Sequence, residues 1–533
     1  MIAAPARHTP RVVGERARAD RRWLVLMGLA LVLGVVVKEP ELMLPIGPDQ
    51  GTYSYVAERI LAGGLPYVDA WDNKPPGTYY VHAAVLALVP AAERWSRSCL
   101  PGMQQECAYL ALQLTDVVWT SLTGVAVFAL ARSLGFTRGS AVLACAMFLL
   151  FANLSQLSRE GSTPEKQLLL PMVLSYLGCL RGGARGLAVA GVCAGVAFLF
   201  KQTAVSIPLA LGAWWLWQRL AGGRAARAFV DQRPLRPAGS PARGKKAVVC
   251  FAAGWLVPVG LIVAYFSARG ALGSLWEASF GYNVSQAGSS ALATPRGALS
   301  GAWHVFANSS ALLWLLALAG ALCARNSLLV CWAVADALSL ALGGAKFAQV
   351  YFVQLVPSLA LLAALAVAEG WRLTAGLRLL RAYAGVVAAA IFLLSNQFQA
   401  SVALRAFWER TPPHASVPLE RLVAGRLTGE SLFVWGDNSE IYLYAHAHSP
   451  SRFFHTFPLS HQYTSGRGYL DRRAELLRAR PEVVAIDPAT ARDDPDGSLG
   501  LNLSSFPELQ ALLAQEYAPI EGLPGGWQAY RRR

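Results

Sequence analysis

Long apolar runs, each near the roughly 20 residues a helix needs to cross a bilayer core, recur along the chain as far as residue 396. Charged or Gly/Pro-containing joints separate them. About eleven spans are predicted, near 23–46, 107–131, 139–157, 165–181, 185–200, 202–218, 247–267, 307–324, 327–343, 349–369 and 380–396. Beyond residue 397 the pattern changes to short alternating segments, such as 431–435 and 483–486, with helix-like stretches at 471–480 and 506–517. That alternation predicts a small α/β domain. The expected fold class is a polytopic α-helical membrane protein with interfacial helices in its first outer loop and a small C-terminal α/β domain. Residues 1–22 form a basic N-terminus, 23–396 the membrane core and 397–533 the outer domain.

Composition agrees, since 54% of residues are hydrophobic and 15% charged, against about 25% charged in soluble domains. The net charge of +15 does not indicate nucleic acid, because the basic residues cluster at the ends of apolar runs. With Arg7, Arg11, Arg16, Arg18, Arg21 and Arg22 placed in the cytoplasm, the Arg/Lys-rich 221–246 linker and the groups at Arg132, Arg181, Arg325 and Arg372 also fall inside. The first run is too long for a signal peptide and reads as a retained anchor. An odd number of spans then places the C-terminal domain on the outer face. Of eight cysteines only Cys99 and Cys107 lie outside apolar segments, and they could pair if their loop faces an oxidising compartment.

Four charged sites fall on that same outer face. The first loop, about 47–106, carries Asp49 and Tyr53, then Asp72 and the turn Lys74-Pro75-Pro76. Its helix 51–62 places Tyr53, Val56, Ala57 and Ile60 on one stripe opposite Glu58 and Arg59, as in a helix lying in the interface plane. The apolar stretch 76–92 is expected to lie along the surface too, with a re-entrant or short spanning segment as the alternative. The second site is the 158–167 loop with Arg159 and Glu165. The third is Lys201, and the fourth Lys346 with nearby Tyr351. Carboxylates suit a general base, and Lys or Arg suit an anionic phosphate. A helix-cap role for Asp49 and snorkelling for Lys201 and Lys346 are the simpler alternatives. In the tail, Trp435-Gly-Asp437-Asn438 reads as a strand end and turn, and the aromatics Tyr442, Tyr444, Phe453, Phe454 and Tyr463 as core packing, with stacking on sugar rings as the alternative.

At these residues the chain resembles the polyprenyl-phosphate-sugar-dependent glycosyltransferases of the C superfamily, near the protein O-mannosyltransferases and lipid A aminoarabinose transferases. The resemblance rests on Asp49-Gln50-Gly51, Pro66-Tyr67-Val68-Asp69, Lys74-Pro75-Pro76, the Arg159 to Glu165 loop, Phe200-Lys201-Gln202-Thr203, and Gly344 to Lys346 leading to Tyr351 and Pro357. It implies sugar transfer from an isoprenoid phosphate to a lipid, glycan or protein acceptor, generally with inversion, in a bacterial inner membrane. It places Asp49 at the catalytic position, with Lys74, Arg159, Lys201 and Lys346 as candidates for the donor phosphate. Many members carry Asp-Glu where this chain has Asp49-Gln50, which leaves Glu165 or Asp72 to supply a second carboxylate. Metal dependence varies across the superfamily, so a divalent cation stays open. The rival reading is a transporter or flippase of lipid-linked sugars. That reading expects charges at span midplanes and paired half-repeats, and neither is evident in the sequence.

Overall fold

The computed structural model describes residues 10–42, 45–96, 99, 106–158, 161–220, 245–287, 299–300, 303, 306, 310–324, 327–342, 349–395, 419–427, 431–461, 468–496 and 500–533. Every apolar run of the sequence is helical there. The helices are Pro10–Leu42, Cys107–Ser133, Arg138–Ala152, Leu169–Arg181, Gly183–Phe200, Ser206–Leu220, Lys245–Ala268, Ala311–Cys323, Ser327–Leu342, Gln349–Leu373 (opening on a 3₁₀ segment) and Arg378–Ser395. Among the described residues, four are long and apolar enough to cross a membrane: Cys107–Ser133, Gly183–Phe200, Lys245–Ala268 and Gln349–Leu373. The shorter apolar helices pack among them. Small residues bring the backbones together, as expected where lipid supplies no hydrophobic drive between helices. Gly191 lies against the backbone of Phe251 and Gly254 against that of Ala188, so no side chain separates these two helices.

The C-terminal region holds a four-stranded sheet in the order β1-β2-β4-β3. Its strands are β1 Leu432–Trp435, β2 Val483–Ile486, β3 Tyr517–Ile520 and β4 Gln528–Arg532. β1 and β2 are parallel, and β4 joins β2 and β3 antiparallel. The two parallel strands are buried along their whole length, which matches their unbroken apolar sequence.

The first loop differs from the expected interfacial arrangement. Its helix, Pro48–Leu61, is buried from Gln50 to Ala57, including the polar Thr52 and Ser54. The reason is tertiary: this helix is enclosed by the C-terminal domain. Thr52 Oγ1 meets Ser439 Oγ at 2.8 Å, the Ser449 amide donates to Tyr55 Oη at 2.8 Å, and Tyr55 packs on Tyr442 and Phe454. One hydrophobic cluster runs from Tyr53, Tyr55 and Trp71 through Trp435, Tyr442 and Phe454. The loop and the domain therefore share a core. The following helix, Gly77–Leu86, has 10 residues, about half the length of a span. Cys99 and Cys107 are joined by a disulfide at the start of helix Cys107–Ser133.

Gly51 sets how closely the domain docks, since a Cβ there would lie 2.7 Å from the Glu440 amide nitrogen. Gly51→Ala is expected to cost about 1–3 kcal/mol through overpacking, read as a lowered thermal midpoint of the full chain. Gly28→Ala, where a Cβ meets nothing within 4 Å, serves as the control and should not lower it.

Candidate functional site

The Lys-Pro-Pro turn is fixed by two buried tyrosines. Tyr67 Oη donates to the Lys74 carbonyl at 2.8 Å, and the Lys74 amide donates to Tyr79 Oη at 3.2 Å. Tyr79 in turn donates to Asp72 Oδ2 at 2.7 Å, while Asp72 Oδ1 caps the Asn73 amide at 2.7 Å. Pro75 and Pro76 then lead directly into helix Gly77–Leu86. In a turn held this way Asp72 and Lys74 have little freedom.

The 158–167 loop is tied to the first loop from below. Gln50 Nε2 donates to the Gly161 carbonyl, and His82 Nε2 lies 3.1 Å from the Ser162 carbonyl. Gln50 thus joins the two loops. Beneath, Lys166 Nζ binds Asp116 at 2.6 Å and Ser158 Oγ at 3.0 Å, and Lys38 Nζ binds the same carboxylate at 2.5 Å. All three charged side chains are buried. A single charge there would be costly; paired and hydrogen-bonded, the group is retained.

Glu165, one residue earlier, turns toward Lys201, and the two form a buried pair at 2.6 Å. Lys201 Nζ also lies 3.4 Å from the centroid of the Tyr351 ring. Thr203 and Gln354, joined at 2.6 Å, clamp the segments carrying Lys201 and Tyr351 to each other. Burial opposes the charge on Glu165, but Lys201 and Lys74 outweigh it and hold the carboxyl below its ordinary pKa. Burial acts more strongly on Lys201 and lowers it to about 8, with Lys74 adding to the fall and Glu165 opposing it. Burial also opposes the Lys74 charge, yet Tyr351, Asp72, Glu165 and Asp49 raise it above an ordinary lysine.

These elements enclose a cavity of about 190 Å³. Asp49, Tyr53, Asp72, Lys74, Glu165 and Tyr351 line it, so six of the nine residues singled out in the sequence converge on one space. Lys201 adjoins it through Glu165 and Tyr351. Arg159, Lys346 and Tyr463 lie outside the described residues. The cavity has a further wall that sequence reasoning missed: Asp437 and His455 from the C-terminal domain, with Trp71, Tyr282 and Phe457. Asp437 had a detectable signal, because it follows the carboxyl end of a parallel strand, where α/β sheets place ligand groups. His455 had none. Tyr442, Phe453 and Phe454 are core residues, as read from the sequence. Among the described residues no group of three His, Cys, Asp or Glu side chains is placed to hold a metal ion.

No protein-family model matches the chain, and no curated protein matches it in sequence. Comparison of structures does find similarity over nearly the whole chain. ArnT from Cupriavidus metallidurans, bound to undecaprenyl phosphate, superposes with a TM-score of 0.53 at 16% identity, covering 95% of this chain and 97% of its own. The fold is similar to that of ArnT. The oligosaccharyltransferase AglB from Archaeoglobus fulgidus, in complex with an inhibitory peptide and a dolichol-phosphate, gives 0.49 at 12% identity, covering 97% of this chain and 74% of its own. The ArnT superposition bears out the multi-pass membrane architecture expected from the resemblance to C-superfamily glycosyltransferases.

Lys201→Met leaves Glu165 buried without its ion partner and is expected to cost about 3–5 kcal/mol. The double substitution Glu165→Gln with Lys201→Met should recover much of that loss in a thermal unfolding cycle.

Proposed function

We propose that the protein is an integral membrane glycosyltransferase that moves a sugar from a polyprenyl-phosphate donor to a lipid, glycan or protein acceptor. The observation that carries this reading is the cavity itself, where carboxylates and lysines from three separate segments converge on a fold similar to ArnT. Asp49 takes the proton of the acceptor hydroxyl, or orients it, as the oxygen attacks the anomeric carbon. The bond from that carbon to the phosphate oxygen breaks, and the configuration inverts. Polyprenyl phosphate leaves with growing negative charge, which Lys74 and Lys201 are placed to stabilise, because cations fixed where charge develops lower the barrier. Arg159 and Lys346 are further candidates from the sequence. Glu165 is the second carboxylate, and by holding Lys201 it orients that ammonium. Asp72, Tyr53 and Tyr351 complete the lining. Our reading locates this chemistry on the periplasmic face of a bacterial inner membrane, with the N-terminus cytoplasmic; the distribution of Arg and Lys among the eleven expected spans supports it.

The deciding experiment is donor turnover by the full chain in nanodiscs with a panel of polyprenyl-phosphate sugars and candidate acceptors. Asp49→Asn is expected to lower transfer by at least about 100-fold, the usual scale for losing an acid–base group, while undecaprenyl phosphate still binds. Transfer by the variant at the wild-type rate would remove Asp49 from the reaction.

The pH dependence has a definite sign. Lys201 loses its proton as pH rises through about 8, so transfer should fall on the alkaline side of that value. Lys201→Arg keeps its charge at any such pH, and its profile should lack this alkaline limb.

A further inference from the structure

His455 is 3% exposed, lines the cavity, and has no hydrogen-bond partner for either ring nitrogen among the described residues. Buried polar groups are nearly always satisfied, so an unsatisfied pair of nitrogens needs an explanation. The side chains packed on it are aromatic, Phe454 and Phe457 at 4.8 and 5.7 Å between ring centroids and Trp71 at 6.4 Å, and the polar groups acting on it are the Trp71 backbone, Asp72 and Lys74. The cavity lining therefore combines two kinds of group. Lys74 and, through Glu165 and Tyr351, Lys201 are suited to phosphate. A histidine, the Asp437 carboxylate and aromatic faces share the same space.

Resting on the glycosyltransferase reading, we propose that the C-terminal domain forms the subsite for the donor's sugar ring, with His455 and Asp437 hydrogen-bonding its hydroxyls. The phosphate and the sugar are one molecule, so once the phosphate is held by the lysines, the ring attached to it is what meets the rest of the lining of the same small cavity. A sugar hydroxyl both donates and accepts, and a neutral imidazole offers one acceptor and one donor. Burial lowers the His455 pKa to about 4, which keeps the ring neutral at pH 7. Asp437 adds a hydroxyl-accepting carboxylate, and Trp71 and Phe457 offer apolar faces to the C–H side of the ring. Few, convergent polar groups on an aromatic wall are how small-ligand sites fix orientation and specificity. The C-terminal domain is then part of the enzyme's choice of sugar.

The test compares binding of undecaprenyl phosphate with binding of undecaprenyl-phosphate-linked hexoses and pentoses to the full chain in nanodiscs. Wild type should bind at least one sugar-bearing lipid more tightly than undecaprenyl phosphate. His455→Phe, which preserves the aromatic packing, should lose about tenfold on that lipid and nothing on undecaprenyl phosphate. His455→Gln, which keeps one donor and one acceptor, should restore part of the loss. An equal loss on both lipids, or no loss on either, overturns the subsite. So does wild-type affinity that ignores the sugar, and that result leaves the glycosyltransferase reading standing. Wild type that binds no polyprenyl phosphate at all overturns that reading itself, and the subsite with it.

Discussion

A carboxylate and an ammonium buried beside one another, Glu165 and Lys201 at 2.6 Å, are the contact on which the site depends. Neither charge is tolerable alone in such surroundings. Each therefore fixes the segment that carries the other: the loop before helix Leu169–Arg181 and the joint after helix Gly183–Phe200. Tyr351, seated against the Lys201 ammonium, adds a third segment, and the Thr203–Gln354 hydrogen bond locks it in register. The cavity floor is a consequence of charge compensation.

The same rule operates one layer deeper. Asp116 between Lys38 and Lys166 joins the first helix, helix Cys107–Ser133 and the 158–167 loop through groups with almost no solvent contact. This triad does not line the cavity, yet it secures the loop from which Glu165 projects. Gln50 extends the arrangement upward by holding the Gly161 carbonyl. The residues Asp49, Gln50 and Gly51 thus have three different duties within one helical turn: facing the cavity, tying a neighbouring loop, and admitting the backbone of Glu440.

The C-terminal domain is structurally inseparable from the site. Its strands β1 and β2 bury their apolar residues, and the helix after β1 seats against helix Pro48–Leu61 through Ser439 and Tyr442. The Trp71 amide, from the first loop, donates to the Arg452 carbonyl at 2.8 Å, and Tyr282 Oη donates to the Phe457 carbonyl at 3.3 Å. Helix Pro48–Leu61 cannot therefore be understood as a surface element. Its amphipathic stripe is real, but the opposite face is covered by protein instead of water.

Apolar run length, read with the bilayer thickness, determined the membrane helices, and alternation determined the small sheet, because both patterns are local in the chain. Charge at the ends of those runs was enough to select Asp49, Asp72, Lys74, Glu165 and Lys201, since a charged residue near hydrocarbon needs a reason to be there. What tertiary structure alone decided is which of these meet and what faces them. The pairing of Glu165 with Lys201 spans 36 positions, and the wall containing Asp437 and His455 comes from hundreds of residues farther along. No local pattern encodes an imidazole left unsatisfied in a cavity, because its surroundings exist only once a distant domain has closed over the first loop.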